Sequence, residues 1–306
     1  MNCYKGRQTA KPAAMSLRFV ELNKYFLSAI IKKRIFTCER RFFMRNVLIR
    51  IEYDGTAFYG WQRQPGRRTV QGELERVLSV LCGGNITIDG TGRTDAGVHA
   101  LGQCATFSGE FSIPADRIPR AANGLLAENR MKQGDIRILS AEDVPAGFHA
   151  RKSAVGKTYI YRIYNAKNMP VFLRNYRYNV KKQLNTDAMI KAASFFTGTR
   201  DYSSFMTASD DFRGSTVKTV HAVNIREEGR DISIAVTGSG FLYNMVRIMA
   251  GTLVDIGTGR IPADRAVEIA AACDRSAAGH TAPAQGLYMA EVYFSTDDLV
   301  KGTEKY

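Results

Sequence analysis

The strongest constraint on the fold is the alternation of apolar and polar side chains along residues 46–53. The apolar side chains occupy every second position: Val47, Ile49, Ile51 and Tyr53. Successive side chains of a strand point to opposite faces of a sheet, so this pattern predicts a half-buried strand. We expect the strand to end at the Asp54-Gly55 pair, because both residue types favour turns.

Strand patterns and helix patterns then follow one another without regular alternation. Thr69 is a suitable N-cap for a helix whose apolar face comprises Val70, Leu74, Val77, Leu78 and Leu81. Strands are predicted at 86–89, 103–108, 157–164, 217–226, 231–237 and 287–294, and helices at 187–196, 241–256 and 262–273. This irregular order predicts an α+β protein with mainly antiparallel pairing. The polar, proline-containing stretch 112–145 receives no element.

Residues 1–43 form a basic extension that differs from the rest of the chain. They carry ten basic and two acidic side chains, so they supply +8 of the total net charge of +14. Their apolar residues recur at helical spacing among lysines and arginines, which is typical of a membrane-surface or transit helix. However, Met44 directly precedes the first strand. We therefore interpret residues 1–43 as a non-native or disordered extension, followed by subdomains at 44–148 and 149–306.

The amino-acid composition argues against some classes of protein and favours others. The five cysteines are odd in number and show no CxxC spacing, which argues against a disulfide framework or a zinc site and fits the cytoplasm. No apolar stretch near the N-terminus is long enough to span a bilayer. The basic surplus favours a polyanionic partner such as RNA, with an anionic membrane as the other candidate. Charge alone does not decide between them.

The segment 92–99 reads Gly-Arg-Thr-Asp-Ala-Gly-Val-His and is the most informative motif in the chain. Taken alone, an arginine two residues before an aspartate is most often a solvated turn with a surface ion pair. The glycines permit close backbone approach without indicating to what. The segment lacks the order of a phosphate-binding loop and of a dinucleotide-binding fingerprint.

Together with its neighbours, this motif resembles the TruA-type tRNA pseudouridine synthases. Matching segments occur in family order at 52–64, 69–75, 92–99, 148–151, 157–161, 240–247 and 285–288. The resemblance implies two ferredoxin-like or RNP-like subdomains with joined sheets and a catalytic cleft between them. It also implies a cytoplasmic homodimer that isomerises uridines 38, 39 and 40 in the tRNA anticodon arm. It implies no cofactor, metal or membrane.

The resemblance assigns Asp95 as the catalytic carboxylate. Pseudouridine formation breaks the N1–C1′ bond of a uridine, turns the base over and rejoins it through C5. The reaction needs an ionised carboxylate beside C1′. That carboxylate adds to the sugar as a nucleophile or removes the C2′ proton to give a glycal, and the sequence leaves both open.

Three further residues are assigned to substrate binding. Tyr159 is expected to provide an aromatic platform for the flipped uridine, and its hydroxyl is placed for proton transfer at C5. Arg247 is expected beside Asp95, where its charge would keep the carboxylate ionised in a site that excludes water. Arg93 is expected to displace or hold the target nucleotide.

Other polar and aromatic candidates are interpreted as structural. His99 and His149 have no carboxylate or second histidine at catalytic or metal-ligand spacing, and Trp61 is expected in the core. Two alternatives to the main interpretation remain. One is an RNA-binding protein of the same fold without turnover, and the other is a synthase with different uridine targets.

Overall fold

A ten-stranded sheet runs through residues 43–127, 134–208 and 212–306, which are the residues that the computed structural model describes. The predicted basic extension lies outside these residues, apart from Phe43. The strands are β1 (Phe43–Tyr53), β2 (Asp89–Gly90), β3 (His99–Phe111), β4 (Ile136–Asp143), β5 (Gly156–Asn165), β6 (Tyr178–Val180), β7 (Gly198–Asp201), β8 (Val217–Glu228), β9 (Asp231–Gly238) and β10 (Leu287–Tyr293).

The sheet has the order β4-β1-β3-β10-β5-β9-β8-β7, with β2 paired to β3 and β6 paired to β5. Every pairing is antiparallel except β3 with β10 and β5 with β6. The predicted α+β class with mainly antiparallel strands is therefore confirmed. Residues Phe43–Tyr306 group as one compact unit, and the subdomain boundary near residue 148 stays a prediction.

A short parallel contact joins the strands of the first half to those of the second. In it Tyr288 of β10 pairs with His99 of β3, and Met289 pairs with Ala100. His99 is the last residue of the 92–99 motif. The loop that carries the motif is consequently held where the two halves of the sheet meet.

Helices cover the sheet within the described residues. They are α1 (Val70–Cys82), α2 (Ile118–Leu126), α3 (Ala150–Ser153), α4 (Thr186–Ala193), α5 (Met245–Gly257), α6 (Arg265–Ala271) and α7 (Thr296–Lys305). The α1 helix begins as predicted, because the Thr69 hydroxyl accepts a hydrogen bond from the Gly72 N–H at 3.3 Å. It ends at Gly83, whose φ of 72° is left-handed.

The α5 helix is the most deeply buried helix and carries a site residue. Each of its residues except Arg247 is buried. It begins at Met245 and not at Phe241 as predicted, because Asn244 has a left-handed φ of 61° and interrupts the helical backbone. Gly251 lets the 280–282 segment lie against the helix, since a Cβ there would be 1.8 Å from the His280 carbonyl oxygen.

The stretch 112–145, which received no predicted element, contains α2 and β4. Side-chain hydrogen bonds fix the two together: Asn123 donates to the Ile138 carbonyl at 2.9 Å and accepts from the Ile138 N–H at 2.8 Å. In β4 only Ile136 and Ile138 are buried, because it is the outermost strand beside β1. Two apolar positions give too weak an alternation to predict a strand.

Candidate active site

The 92–99 motif lies in the loop between β2 and β3, and the segment 58–61 holds its backbone. The Trp61 N–H donates to the Thr94 carbonyl at 3.0 Å, and the Gly97 N–H donates to the Phe58 carbonyl at 3.4 Å. Gly60 makes this approach possible, because it has a φ of +83° and its Cβ would lie 2.5 Å from the Thr94 oxygen. The two glycine-containing segments form one packed backbone unit.

Asp95 of this loop contacts Arg247 of α5, although 152 positions separate the two residues in the chain. The Arg247 Nη1 donates to the Asp95 Oδ2 at 2.9 Å, and the Asp95 and Arg247 side chains are 28% and 17% exposed. The guanidinium also donates to the Asn244 Oδ1 at 2.7 Å and to the Ala282 carbonyl at 2.8 Å. A guanidinium fixed by three acceptors holds the carboxylate in one orientation and compensates its charge.

Asn244 is a site residue that the sequence analysis missed. Its amide nitrogen donates to the Thr207 hydroxyl at 3.0 Å, while its oxygen accepts from Arg247. Its left-handed backbone sets the start of α5 at Met245, two residues before Arg247. The available signal was its position in the 240–247 segment, because asparagine tolerates the left-handed region better than most residues.

Tyr159 lies in β5 with its side chain directed at the same loop. A Cβ on Gly92 would be 3.8 Å from the Tyr159 hydroxyl, and the ring meets Phe241 edge-on at a centroid distance of 5.2 Å. Burial raises the pKa of Tyr159 well above its usual value, and the nearby Tyr53 and Asp95 raise it further. The hydroxyl therefore keeps its proton at neutral pH. Only 7% of the residue is exposed, which leaves little ring surface for stacking in this arrangement.

Lys157, two residues before Tyr159, was also missed, although it belongs to the 157–161 segment. Its ammonium group donates to the Thr91 carbonyl at 2.9 Å, directly before the motif. Burial lowers the pKa of Lys157 to about 8, and the positive charge of Arg151 adds to this effect. The Gln103 amide donates to the Gly92 carbonyl at 2.8 Å. Lys157 and Gln103 thus fix two successive carbonyl groups at the start of the loop.

Arg93 is placed differently from Arg247. Its side chain is exposed, and within the described residues it forms no hydrogen bond or ion pair. The structure does not bring it against Asp95. The Arg93 guanidinium is left available to a ligand outside the protein.

The residues interpreted as structural have structural contacts. His99 donates from Nε2 to the Asn175 carbonyl at 2.9 Å and accepts at Nδ1 from the Gly55 N–H at 3.0 Å. It also lies 3.2 Å from the Asp54 carboxylate, a contact the sequence analysis missed, and burial lowers the pKa of its imidazole. His149 caps α3, and Trp61 is buried in the core. The predicted burial of Trp61 is confirmed, and the structural roles of His99 and His149 stay interpretations.

The described part of the chain has neither a metal-binding cluster nor a membrane-spanning helix. No group of three or more His, Cys, Asp or Glu side chains within them is arranged to hold a metal ion. None of the helices found in these residues combines the length and the apolar character needed to cross a membrane.

Comparison with known proteins gives consistent matches over most of the chain. A family model described as tRNA pseudouridine synthase matches residues 49–151 and 192–295. A protein named tRNA pseudouridine synthase A from Caldicellulosiruptor bescii is 43% identical over 251 residues, which cover 82% of this chain and 100% of that relative. The protein of the same name from Bacillus subtilis is 46% identical over 246 residues, covering 80% of this chain and 97% of the relative.

Proposed function

Because the chain belongs to the tRNA pseudouridine synthase family, whose members are isomerases, we propose that it forms pseudouridine at positions 38, 39 and 40 of the tRNA anticodon arm. The observation that carries this proposal is the Asp95–Arg247 pair at 2.9 Å, in the loop whose motif resembles the catalytic signature of the TruA-type enzymes. An aspartate oriented by a guanidinium is the group that the isomerisation requires.

Asp95 acts on the sugar of the target uridine. It attacks C1′ or removes the C2′ proton, and in either case the electron pair of the N1–C1′ bond leaves with the uracil. Arg247 orients Asp95 and compensates its charge, and its bonds to Asn244 and Ala282 hold the guanidinium in place. After the base has turned, C5 bonds to C1′ while the bond from Asp95 to C1′ breaks or, in the glycal route, while Asp95 returns the proton to C2′. C5 then loses its proton and N1 gains one. The isomerisation therefore balances without a cofactor.

Tyr159 assists the proton transfer at C5. Its raised pKa keeps the hydroxyl protonated at neutral pH, so Tyr159 does not act as a base on its own. It accepts the C5 proton only while passing its own proton to another group. Asp95, which is a carboxylate again in both routes once the C5–C1′ bond has formed and whose charge acts on Tyr159, takes that proton and releases it to N1 or to water. Arg93, exposed and without a partner in the described part of the chain, holds the flipped nucleotide or fills its place in the stack.

The proposal extends to assembly and location by resemblance to the family. The protein acts as a homodimer in the cytoplasm, binds one tRNA across both subunits and has no membrane partner. The net charge of +14 is consistent with a tRNA partner, although more than half of it belongs to residues 1–43.

Mapping of pseudouridine in a tRNA transcript tests the proposal. The purified protein is incubated with an unmodified tRNA that has uridines at 38, 39 and 40, and pseudouridines are located by carbodiimide modification and primer extension. We expect stops at these positions only. Stops elsewhere would favour a synthase with different targets, and binding without any stop would favour an RNA-binding protein without turnover.

A further inference from the structure

An exposed tyrosine with an arginine stacked on it lies in the segment 58–68. Tyr59 is 48% exposed, and the Arg67 guanidinium carbon is 4.4 Å from the centroid of its ring. Solvent-exposed aromatic rings beside cations are the groups with which proteins bind single-stranded nucleic acid.

Arg67 differs from the other arginines of the same segment in its partners. Arg63 forms an ion pair with Glu75 at 2.9 Å, and Arg68 forms ion pairs with Glu73 at 3.2 Å and Asp135 at 2.6 Å. Arg67 has no carboxylate partner among the described residues, and its side chain is exposed. Its charge is therefore available to an anion.

The backbone around Tyr59 is fixed beside the catalytic loop. The Tyr59 N–H donates to the Arg68 carbonyl at 2.9 Å, and its carbonyl accepts from the Gln64 side chain at 3.0 Å. The next residue is Gly60, whose Cβ position lies 3.1 Å from the Asp95 carbonyl carbon. Tyr59 is therefore adjacent in sequence to Gly60, which lies against the backbone of Asp95.

We propose that Tyr59 and Arg67 form a nucleotide-binding subsite that receives an unpaired nucleotide of the RNA next to the target uridine. The base stacks on the Tyr59 ring, and the Arg67 guanidinium contacts the adjoining phosphate. Stacking on the ring holds the guanidinium near its binding position, so less side-chain freedom is lost when RNA binds. The proposal rests on the proposed function, because only an RNA substrate would place such a nucleotide beside Asp95.

Binding measurements with matched variants test this subsite. The variants are Tyr59→Leu, Tyr59→Phe and Arg67→Ala, with Arg120→Ala as the control, since Arg120 is exposed on α2 and has no partner within the described residues. The Kd for an unmodified tRNA transcript is measured over a range of salt concentrations. Thermal unfolding of each variant shows whether the protein remains folded.

We expect Tyr59→Leu to weaken binding by about 5-fold or more, because base–aromatic stacking contributes on the order of that factor. Tyr59→Phe should bind like the unaltered protein, since it keeps the ring. Arg67→Ala should reduce the slope of log Kd against log salt by about 1, as expected for the loss of one phosphate contact. Arg120→Ala should leave the slope unchanged.

Unchanged binding in both Tyr59→Leu and Arg67→Ala would overturn the subsite. An equal loss of slope in Arg120→Ala would also overturn it, because the effect would then be one of net charge. The Kd reports binding and does not require turnover. A failure of the unaltered protein to form pseudouridine would therefore refute the proposed function, while the comparison of variants still decides the subsite.

Discussion

Replacement of Arg247 by methionine removes the group that links the two halves of the site. The guanidinium donates to Asp95, Asn244 and Ala282 at 2.9, 2.7 and 2.8 Å. A hydrogen bond to a charged group contributes about 1.5–3 kcal/mol when buried. The side chains of the ion pair are 17% and 28% exposed, and the methionine recovers part of the packing. We expect the free energy of unfolding to fall by about 3 kcal/mol in Arg247→Met.

Much of this loss arises because Asp95 is left without its counter-charge, which a double-mutant cycle isolates. In the Arg247→Met background, Asp95→Asn removes the unpaired charge and should restore about 1 kcal/mol. Arg247→Lys keeps the charge but lacks the planar fork, so it should fall between Arg247→Met and the unaltered protein in stability. Urea unfolding of the four proteins of the cycle gives the coupling energy.

Arg247→Met should also lower kcat for pseudouridine formation by about 100-fold. Without Arg247 the Asp95 carboxylate is no longer held in position, and a small displacement of a reacting group has an effect of that order. Loss of the Arg247–Asp95 ion pair should therefore lower both the free energy of unfolding and kcat. Additivity of Arg247→Met and Asp95→Asn within about 0.5 kcal/mol would show that the two side chains do not interact. Unchanged kcat in Arg247→Met would show that Arg247 does not position Asp95 for catalysis.

Three further predictions concern other parts of the molecule. Tyr159→Phe should bind tRNA normally yet lose most of its turnover, and full turnover would limit the residue to packing. Burial lowers the pKa of Lys157 to about 8, whereas in the unfolded chain it is about 10.4, so the unfolded state binds more protons between these values. Relative to Lys157→Met, the free energy of unfolding of the unaltered protein should therefore rise from pH 8 to 10, and this gain should be lost as the pH decreases to 8. Urea unfolding at several pH values measures it. The same pH dependence in both proteins would contradict this prediction. A fragment of residues 44–306 should retain full kcat, with weaker non-specific RNA binding because eight net positive charges are removed; loss of kcat would make the extension part of the enzyme.

Local patterns predicted the elements that have one clearly apolar face. The strand at residues 46–53 was identified because Val47, Ile49, Ile51 and Tyr53 occupy alternate positions, and all four side chains are buried in the core. Likewise, the Thr69 cap and the apolar stripe after it were sufficient for α1. The outer strand β4 and the helix α2 escaped prediction, because the bonds between Asn123 and Ile138 that fix them are tertiary contacts without a local pattern.

For the candidate active site, the sequence indicated the main residues but not the contacts that fix them. Family motifs indicated Asp95, Tyr159 and Arg247, and the structure places the three around one loop. The contacts that fix them depend on distant segments, such as the Ala282 carbonyl that accepts from Arg247. No periodicity or spacing in the sequence encodes that contact, because it arises when the 280–282 segment packs along α5 at Gly251.

Comparison of the unaltered protein with Asp95→Asn tests whether the Asp95 carboxylate performs the isomerisation. Both proteins are incubated at saturating concentration with tRNA tritiated at C5 of uridine, and tritium release is followed alongside Kd. We expect release by the unaltered protein and none by Asp95→Asn, with Kd values within a few-fold of each other. Tritium release by Asp95→Asn at the rate of the unaltered protein would show that Asp95 is not the catalytic carboxylate.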